Sequence, residues 1–318
     1  MSYDSQKLSK VIFIVGPTAS GKSDLAVKLA KKFDGEIISA DSRQVYKGLD
    51  IGSGKIKKKE MGDIQHYLLD VASPKKNFSL GRYLKLAYVA ADKIIYKNAI
   101  SRKKGALRLA QGKFRQRKIP IFVGGTWLYF KAIKDGWIIP DVKPNQKLRA
   151  KLEKKTAVEL FMLLKKIDPR RAADIDRYNP RRLIRAIEIA RAIKKVPQLK
   201  QRPRYDILPI GIKFPIKKLE ERIRLRLQKR IPGILKEIKK LRKEIPWERL
   251  IGFGLEYDWF SKYLRGSITF DEATEKCFIE IKRFAKRQIR TFDRENVFWV
   301  SGFSGAEKII KKWLAARN

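Results

Sequence analysis

The stretch Gly16-Pro17-Thr18-Ala19-Ser20-Gly21-Lys22-Ser23 constrains the fold of this chain more than any other. Before it stands Val11 to Val15, an apolar, β-branched run of the kind that forms a strand buried on both faces. After it, Ser23 to Lys32 places Leu25, Ala26, Leu29 and Ala30 at helical spacing. Strand, glycine-rich turn and helix in that order make a phosphate-binding loop. The glycines let successive backbone N–H groups turn inward, the helix N-terminus adds partial positive charge, and Lys22 meets the outer phosphate oxygens. Ser23 offers its hydroxyl to a phosphate-bound Mg²⁺. A di- or triphosphate group is therefore the expected ligand, whereas nucleotide hydrolysis does not follow from the loop.

The segments downstream extend the same architecture. Glu36 to Ala40 and Ile119 to Val123 read as further strands, and Arg82 to Ile100 carries Leu84, Ala87, Ala91, Ile94 and Ile95 at helical intervals. Strands alternating with helices predict an α/β fold, a phosphate-loop, doubly wound parallel sheet. Beyond Trp137 the strand signal stops. Pro140, Pro144, Pro169, Pro180 and Pro197 divide a helical region from Lys147 to Lys195. Arg204 to Phe214 reads as strand again, and Leu219 to Lys243 as a helix that Pro232-Gly233 breaks or kinks. Thr269-Phe270-Asp271-Glu272 is a capping box opening the last long helix. The expected organisation is a discontinuous core, residues 1–136 and 206–318, interrupted by a small helical domain at 137–205.

Charge and rare residues narrow the function classes. The 318 residues hold 75 Lys+Arg against 33 Asp+Glu, a formal +42. Such self-repelling charge fits a polyanionic partner, and a lysine-biased composition accounts for part of it. The single Cys277 excludes an internal disulfide framework, and the single His66 excludes a histidine-cluster metal site. No run is apolar enough for a membrane span, so a soluble, cytoplasmic chain without membrane partners is expected, with a monomer as the expected state. From Lys93 to Lys134 there is no acidic residue, and Lys103, Lys104, Arg108, Lys113, Arg115, Arg117 and Lys118 crowd the centre. That segment is either a solvated basic surface or a contact with a phosphate backbone.

A phosphate-loop hydrolase calls for a strand ending in an aspartate that holds the metal's water shell. The candidates are Asp41, after Ile37-Ile38-Ser39-Ala40, and Asp70, after Leu68-Leu69. The strand at Ile119–Val123 runs instead into Gly124-Gly125-Thr126. Asp41 follows Ser23 by only 18 residues, closer than a usual second nucleotide motif. It belongs at the carboxyl edge of the sheet, beside the phosphates, where an acid serves as base, metal ligand or turn cap.

The motifs taken together are specific. The phosphate loop, Ile38-Ser39-Ala40-Asp41-Ser42-Arg43-Gln44-Val45-Tyr46, Asp50-Ile51-Gly52, His66-Tyr67-Leu68-Leu69-Asp70, and Gly124-Gly125-Thr126 with Leu128-Tyr129 occur in this order. Arg182-Leu183-Ile184-Arg185-Ala186 with Glu188, and Phe284-Ala285-Lys286-Arg287-Gln288, complete the set. This series resembles the tRNA dimethylallyltransferases, from about Val11 to Trp299. Four departures stand out: Arg181 where that family usually has Gln; Ile251-Gly252-Phe253-Gly254-Leu255-Glu256 in place of Ile-Gly-Tyr-(Lys/Arg)-Glu; Ile289 to Phe292 without the customary Thr-Trp-Phe; and the basic stretch around Arg102 to Arg117, which looks like an insertion.

The resemblance implies transfer of the dimethylallyl group from dimethylallyl diphosphate to the exocyclic amine of the adenine 3′ of a tRNA anticodon, with Mg²⁺ as cofactor. It implies that the phosphate loop, Gly16 to Ser23, holds the diphosphate. Asp41 would take the amine's proton, and Thr126, with Thr18, would bond the diphosphate, although Thr126 could simply end a strand. Arg222 and Arg226, four residues apart on one helix face, would close over the diphosphate or form a solvated pair. Asp41, Ser42, Arg43, Gln44 and Thr126 would receive the flipped adenine, Gln44 through its amide. Arg149, Arg181, Arg182, Leu183, Ile184 and Arg185 would meet the anticodon stem-loop, unless Arg185 pairs with Glu188 instead. Two rival readings keep the loop: an adenylate isopentenyltransferase acting on free nucleotide, and a small-molecule kinase. The second leaves the Asp-Ser-Arg-Gln segment without a purpose.

Overall fold

Val11, Ile12, Phe13, Ile14 and Val15 are all fully enclosed, which only a central strand covered on both faces allows. In the computed structural model, which describes residues 8–96 and 118–316, they form the middle of a six-stranded parallel sheet. The strands are β1 (Ser9–Val15), β2 (Gly35–Ser39), β3 (His66–Tyr67), β4 (Ile119–Val123), then, after β5 (Trp137–Ile138) and β6 (Lys200–Gln201), β7 (Tyr205–Ile212) and β8 (Phe298–Val300). The order across the main sheet is β3-β2-β4-β1-β7-β8; β5 and β6 form a separate antiparallel pair. The basic stretch from Arg102 to Arg117 lies outside the described residues.

The chain divides into two compact units, Met1–Lys134 with Pro203–Asn318, and Asp135–Arg202. In the first, α1 (Lys22–Lys32), α2 (Lys58–Met61), α3 (Leu80–Tyr96) and α4 (Trp127–Lys134) alternate with the strands. The second unit holds α5 (Gln146–Leu152), α6 (Ala157–Ile167), α7 (Pro169–Asp174) and α8 (Pro180–Ile193). The first then resumes with α9 (Ile216–Arg242), α10 (Trp247–Ile251), α11 (Glu256–Leu264), α12 (Phe270–Phe292) and α13 (Phe303–Ala315).

Each face of β1 feeds a different layer. Ile12 and Ile14 pack with Leu25 and Leu29 of α1 and Ile310 of α13. Phe13 faces the other way, stacked on Phe122 at 5.2 Å and edge-on to Phe130 at 4.9 Å. A third cluster joins Leu227, Ile234 and Ile238 of α9 to Tyr257, Phe260 and Ile281. Of the break or kink expected at Pro232-Gly233, the break does not occur: α9 runs through the proline. The carbonyl that the proline leaves without a donor belongs to Gln228, an exposed residue whose backbone can turn to water.

In the helical unit Leu160, Leu164, Leu183 and Ile187 are fully buried. Asp168 caps α7 by accepting the Arg171 N–H at 3.0 Å, and its other oxygen takes the Val196 N–H at 2.7 Å. Pro169 at the first helical turn costs nothing there, because its missing N–H would have no partner in any case.

Candidate active site

Parallel strands bring their carboxyl ends to one edge, and three sequence motifs meet there. The loop after β1 turns through Gly16 (φ 138°), Ala19 (φ 62°) and Gly21 (φ 84°) into α1, which begins at Lys22. The segment after β2 carries Asp41, and that after β4 carries Gly124-Gly125-Thr126. Glycine is obligatory at the last of these. A Cβ on Gly124 would stand 2.0 Å from the Ala40 carbonyl oxygen, and one on Gly125 would stand 2.0 Å from Gln288 Nε2.

These ends border a cleft of about 600 Å³. Its walls include Thr18 to Ser23, Asp41, Arg43, Gln44, Gly124, Gly125, Arg222 and Arg226, together with Arg230 and Gln288. Asp41 caps its own turn with one oxygen: Oδ1 accepts the N–H groups of Arg43 at 2.8 Å and Gln44 at 3.3 Å. Thr126 Oγ1 accepts the Ser42 N–H at 3.0 Å, which ties the Gly-Gly-Thr turn to the residue after Asp41. Gln44 donates to the Gly54 carbonyl at 3.4 Å. Asp70, the other aspartate considered, instead pairs with Lys55 at 2.6 Å.

The cations at the cleft divide into two groups. Lys22 donates to the Pro17 carbonyl at 2.5 Å; burial, then the neighbouring Arg226 charge, push its ammonium down to about 7, with Asp41 opposing. Burial and the adjacent Arg230 push the Arg226 guanidinium down to about 10. Arg222 reaches over the loop, donating to the Ala19 carbonyl at 2.9 Å and lying on the Phe214 ring at 4.8 Å. None of these three has a carboxylate within ion-pair distance among the described residues. Such a set has charge to offer an anion.

Arg43 belongs to the second group. Its guanidinium is 14% exposed and bonds the buried Glu256 carboxylate at 2.8 Å. Although burial works against the charge, Glu256 raises the Arg43 pKa, and Arg43 with Arg230 lowers that of Glu256 against the cost of burial. Through this pair Arg43 ties the Asp41 turn to Glu256. The two residues before Glu256, Gly254 and Leu255, adopt positive φ, 70° and 47°.

The helical unit holds a similar pairing. Glu188, 1% exposed, binds Arg149 through Nε at 2.9 Å and Nη2 at 2.7 Å, accepts the Asn145 N–H at 2.6 Å, and pairs with Arg185. Arg149 and Arg185 thus serve a buried carboxylate. Leu183 and Ile184 lie in the hydrophobic core, so their side chains are not available to a ligand. Arg181 and Arg182 are exposed.

Sequence reasoning missed Gln288. Its side-chain oxygen accepts the Thr18 N–H at 2.8 Å and its nitrogen donates to the Gly125 carbonyl at 3.0 Å, so one amide clamps two of the three motifs. Gln288 stood in a motif already noted, but nothing local marked its partners, which are 270 and 163 residues away. His66 also lines the cleft; Nδ1 faces the Ile64 carbonyl at 2.8 Å, and burial lowers its pKa.

Sheet and cleft together define a phosphate-loop α/β protein in which a carboxylate lines the loop's cleft and Thr126, outside that lining, ties the Gly124-Gly125 turn to the carboxylate's own turn. A family model described as IPP transferase matches residues 44–105 and 101–295. The tRNA dimethylallyltransferase of Leuconostoc mesenteroides is 36% identical over 321 residues, spanning 98% of this chain and 100% of that one. The tRNA dimethylallyltransferase 2 of Treponema denticola is 40% identical over 300 residues, 91% of this chain and 93% of its own. The solved tRNA isopentenylpyrophosphate transferase of Bacillus halodurans superimposes with a TM-score of 0.66 at 31% identity, covering 96% of each chain. This chain belongs to the IPP transferase family.

Proposed function

We propose that this chain is a transferase that moves the dimethylallyl group from dimethylallyl diphosphate to the exocyclic amine of the adenine 3′ of a tRNA anticodon, releasing diphosphate. The observation that carries this reading is that the phosphate loop, the Asp41 turn and the Gly124-Gly125-Thr126 turn border one cleft. The relatives' names point to the same reaction. In the reaction the adenine nitrogen forms a bond to the allylic carbon as the carbon–oxygen bond to diphosphate breaks. Loop N–H groups, Lys22, Arg222 and Arg226 receive the charge that builds on the leaving oxygens. An aryl amine is a poor nucleophile, and Asp41 takes its proton as the new bond forms. Thr126 and Gln288 keep the two halves of this arrangement in register.

The cleft suits a hard cation. Ser23 supplies a hydroxyl, the ligand supplies phosphate oxygens, and Mg²⁺ prefers an all-oxygen set completed by water. No cluster of three or more His, Cys, Asp or Glu forms a protein-only metal site among the described residues. Mg²⁺ bound there would neutralise the diphosphate as it departs. For the RNA partner, exposed Arg181 and Arg182 on α8 are the proposed contacts in the helical unit. No described helix is long and apolar enough to cross a membrane.

Incubation with labelled dimethylallyl diphosphate and tRNA, AMP or ATP tests the reading. Label should enter tRNA alone. Label in AMP or ATP would transfer the activity to the free-nucleotide class, and phosphate transfer from ATP to a small molecule would make the chain a kinase.

A further inference from the structure

Asp50-Ile51-Gly52 has no part in the reaction described above, yet its backbone converges on a single group. The N–H groups of Asp50, Ile51 and Gly52 donate to the Glu237 carboxylate at 2.9, 2.6 and 3.0 Å. Tyr257 donates its hydroxyl to the same carboxylate at 2.7 Å. Successive amides pointing at one anion form a nest of the kind that phosphates occupy, and here the chain supplies the anion itself. Gly52 is fixed by the same arrangement, since a Cβ there would lie 2.5 Å from the Tyr257 ring. Glu237 is 9% exposed, so its oxygens rely on these donors, not on water, for hydrogen bonds.

Glu237 stands on the same face of α9 as Arg226, Arg230 and Gly233, spaced by four, three and four residues. The loop it pins packs onto that face. A Cβ on Gly233 would lie 2.8 Å from Ile51, and one on Gly54 would lie 1.9 Å from Arg226 Nη2. Backbone at Gly54, not a carboxylate, is therefore what the Arg226 guanidinium rests against. Moving the loop along α9 would move that support.

We propose that Glu237 is a positioning residue for the isoprenoid diphosphate: by filling the Asp50–Gly52 nest it seats Gly54 under Arg226 and directs that guanidinium into the cleft. The identity of the ligand rests on the proposed function, whereas the mechanics of the nest do not. Glu237→Gln keeps the shape but turns an amide against the N–H donors. Affinity for inorganic diphosphate, by calorimetric titration, is compared with KM for dimethylallyl diphosphate and for tRNA. Loss of one charge-assisted bond should weaken diphosphate and raise the isoprenoid KM about tenfold, with the tRNA KM within about twofold. Tyr257→Phe removes one donor and leaves the nest, so it should lower Tm without moving either diphosphate value. Wild-type diphosphate affinity in Glu237→Gln, or an equal loss in Tyr257→Phe, overturns the proposal. Should the Gln variant not fold, Glu237→Asp, which keeps the charge but draws it back from the amides, gives the same comparison. Wild-type protein that binds diphosphate but never labels tRNA would sink the functional reading and leave the Glu237 comparison decided by binding alone.

Discussion

In the helical unit, Glu188 gathers Arg149, Arg185 and a backbone N–H into one buried cluster, while other arginines face solvent, among them Arg181 and Arg182, the latter 3.8 Å from the exposed Asp176 carboxylate. In the α/β unit, Glu256 takes Arg43 and Arg230, Glu237 takes a loop, and among the described residues Lys22, Arg222 and Arg226 have no carboxylate within ion-pair distance. Both units are rich in arginine, and both bury acids among them. The difference lies in where the surplus charge goes. At the cleft Lys22 and Arg226 are half-enclosed, at a cost visible in their lowered pKa, while Arg222 reaches over the loop from the surface. In the helical unit it is solvated, where single contacts are weak and salt-sensitive. Counting cations would not separate the two units; subtracting those already claimed by buried acids does.

A crossed pair of substitutions breaks or sharpens that contrast most strongly. Arg226→Gln should weaken diphosphate binding by about 10- to 100-fold, the scale of one lost charge-assisted bond, with little change in Tm. Glu188→Gln should do the reverse. It should lower stability by about 2 kcal/mol, below the figure for a fully enclosed pair because both arginines can turn to water, and leave diphosphate affinity unchanged. If each substitution moved both quantities alike, the division between structural and surplus charge would be wrong.

The smallest effect is expected at the helical surface. Arg181→Gln with Arg182→Gln should weaken tRNA binding a few-fold and flatten the log-affinity against log-salt slope by about 0.7–0.9 per lost phosphate contact. Turnover at saturating tRNA should stay the same. An unchanged slope would remove both arginines from the RNA contact.

The sheet was legible because its central strand is a five-residue apolar run against a phosphate loop, and both signals are local. Asp41 and Thr126 were legible as motif members at strand ends, where parallel sheets gather their functional groups. Gln288, Glu256 and Glu237 were not, because a polar residue on a helix reads as solvated until the fold supplies its distant partner. Leu183 and Ile184 show the converse: the motif that contains them also contains exposed arginines, and only the helical period separates the buried face from the other. At Pro232 the helix continues because the carbonyl left unpaired belongs to an exposed residue.

The central claim is that Asp41 accepts the amine proton beside a diphosphate held by the phosphate loop. Single-turnover transfer by Asp41→Asn, with both substrates saturating, tests it most directly. The side chain keeps its shape and an oxygen for its own turn, so dimethylallyl diphosphate and tRNA should bind as they do to the wild type. The transfer rate should fall by about 10²–10⁴-fold. A near-wild-type rate with both substrates bound would contradict the account.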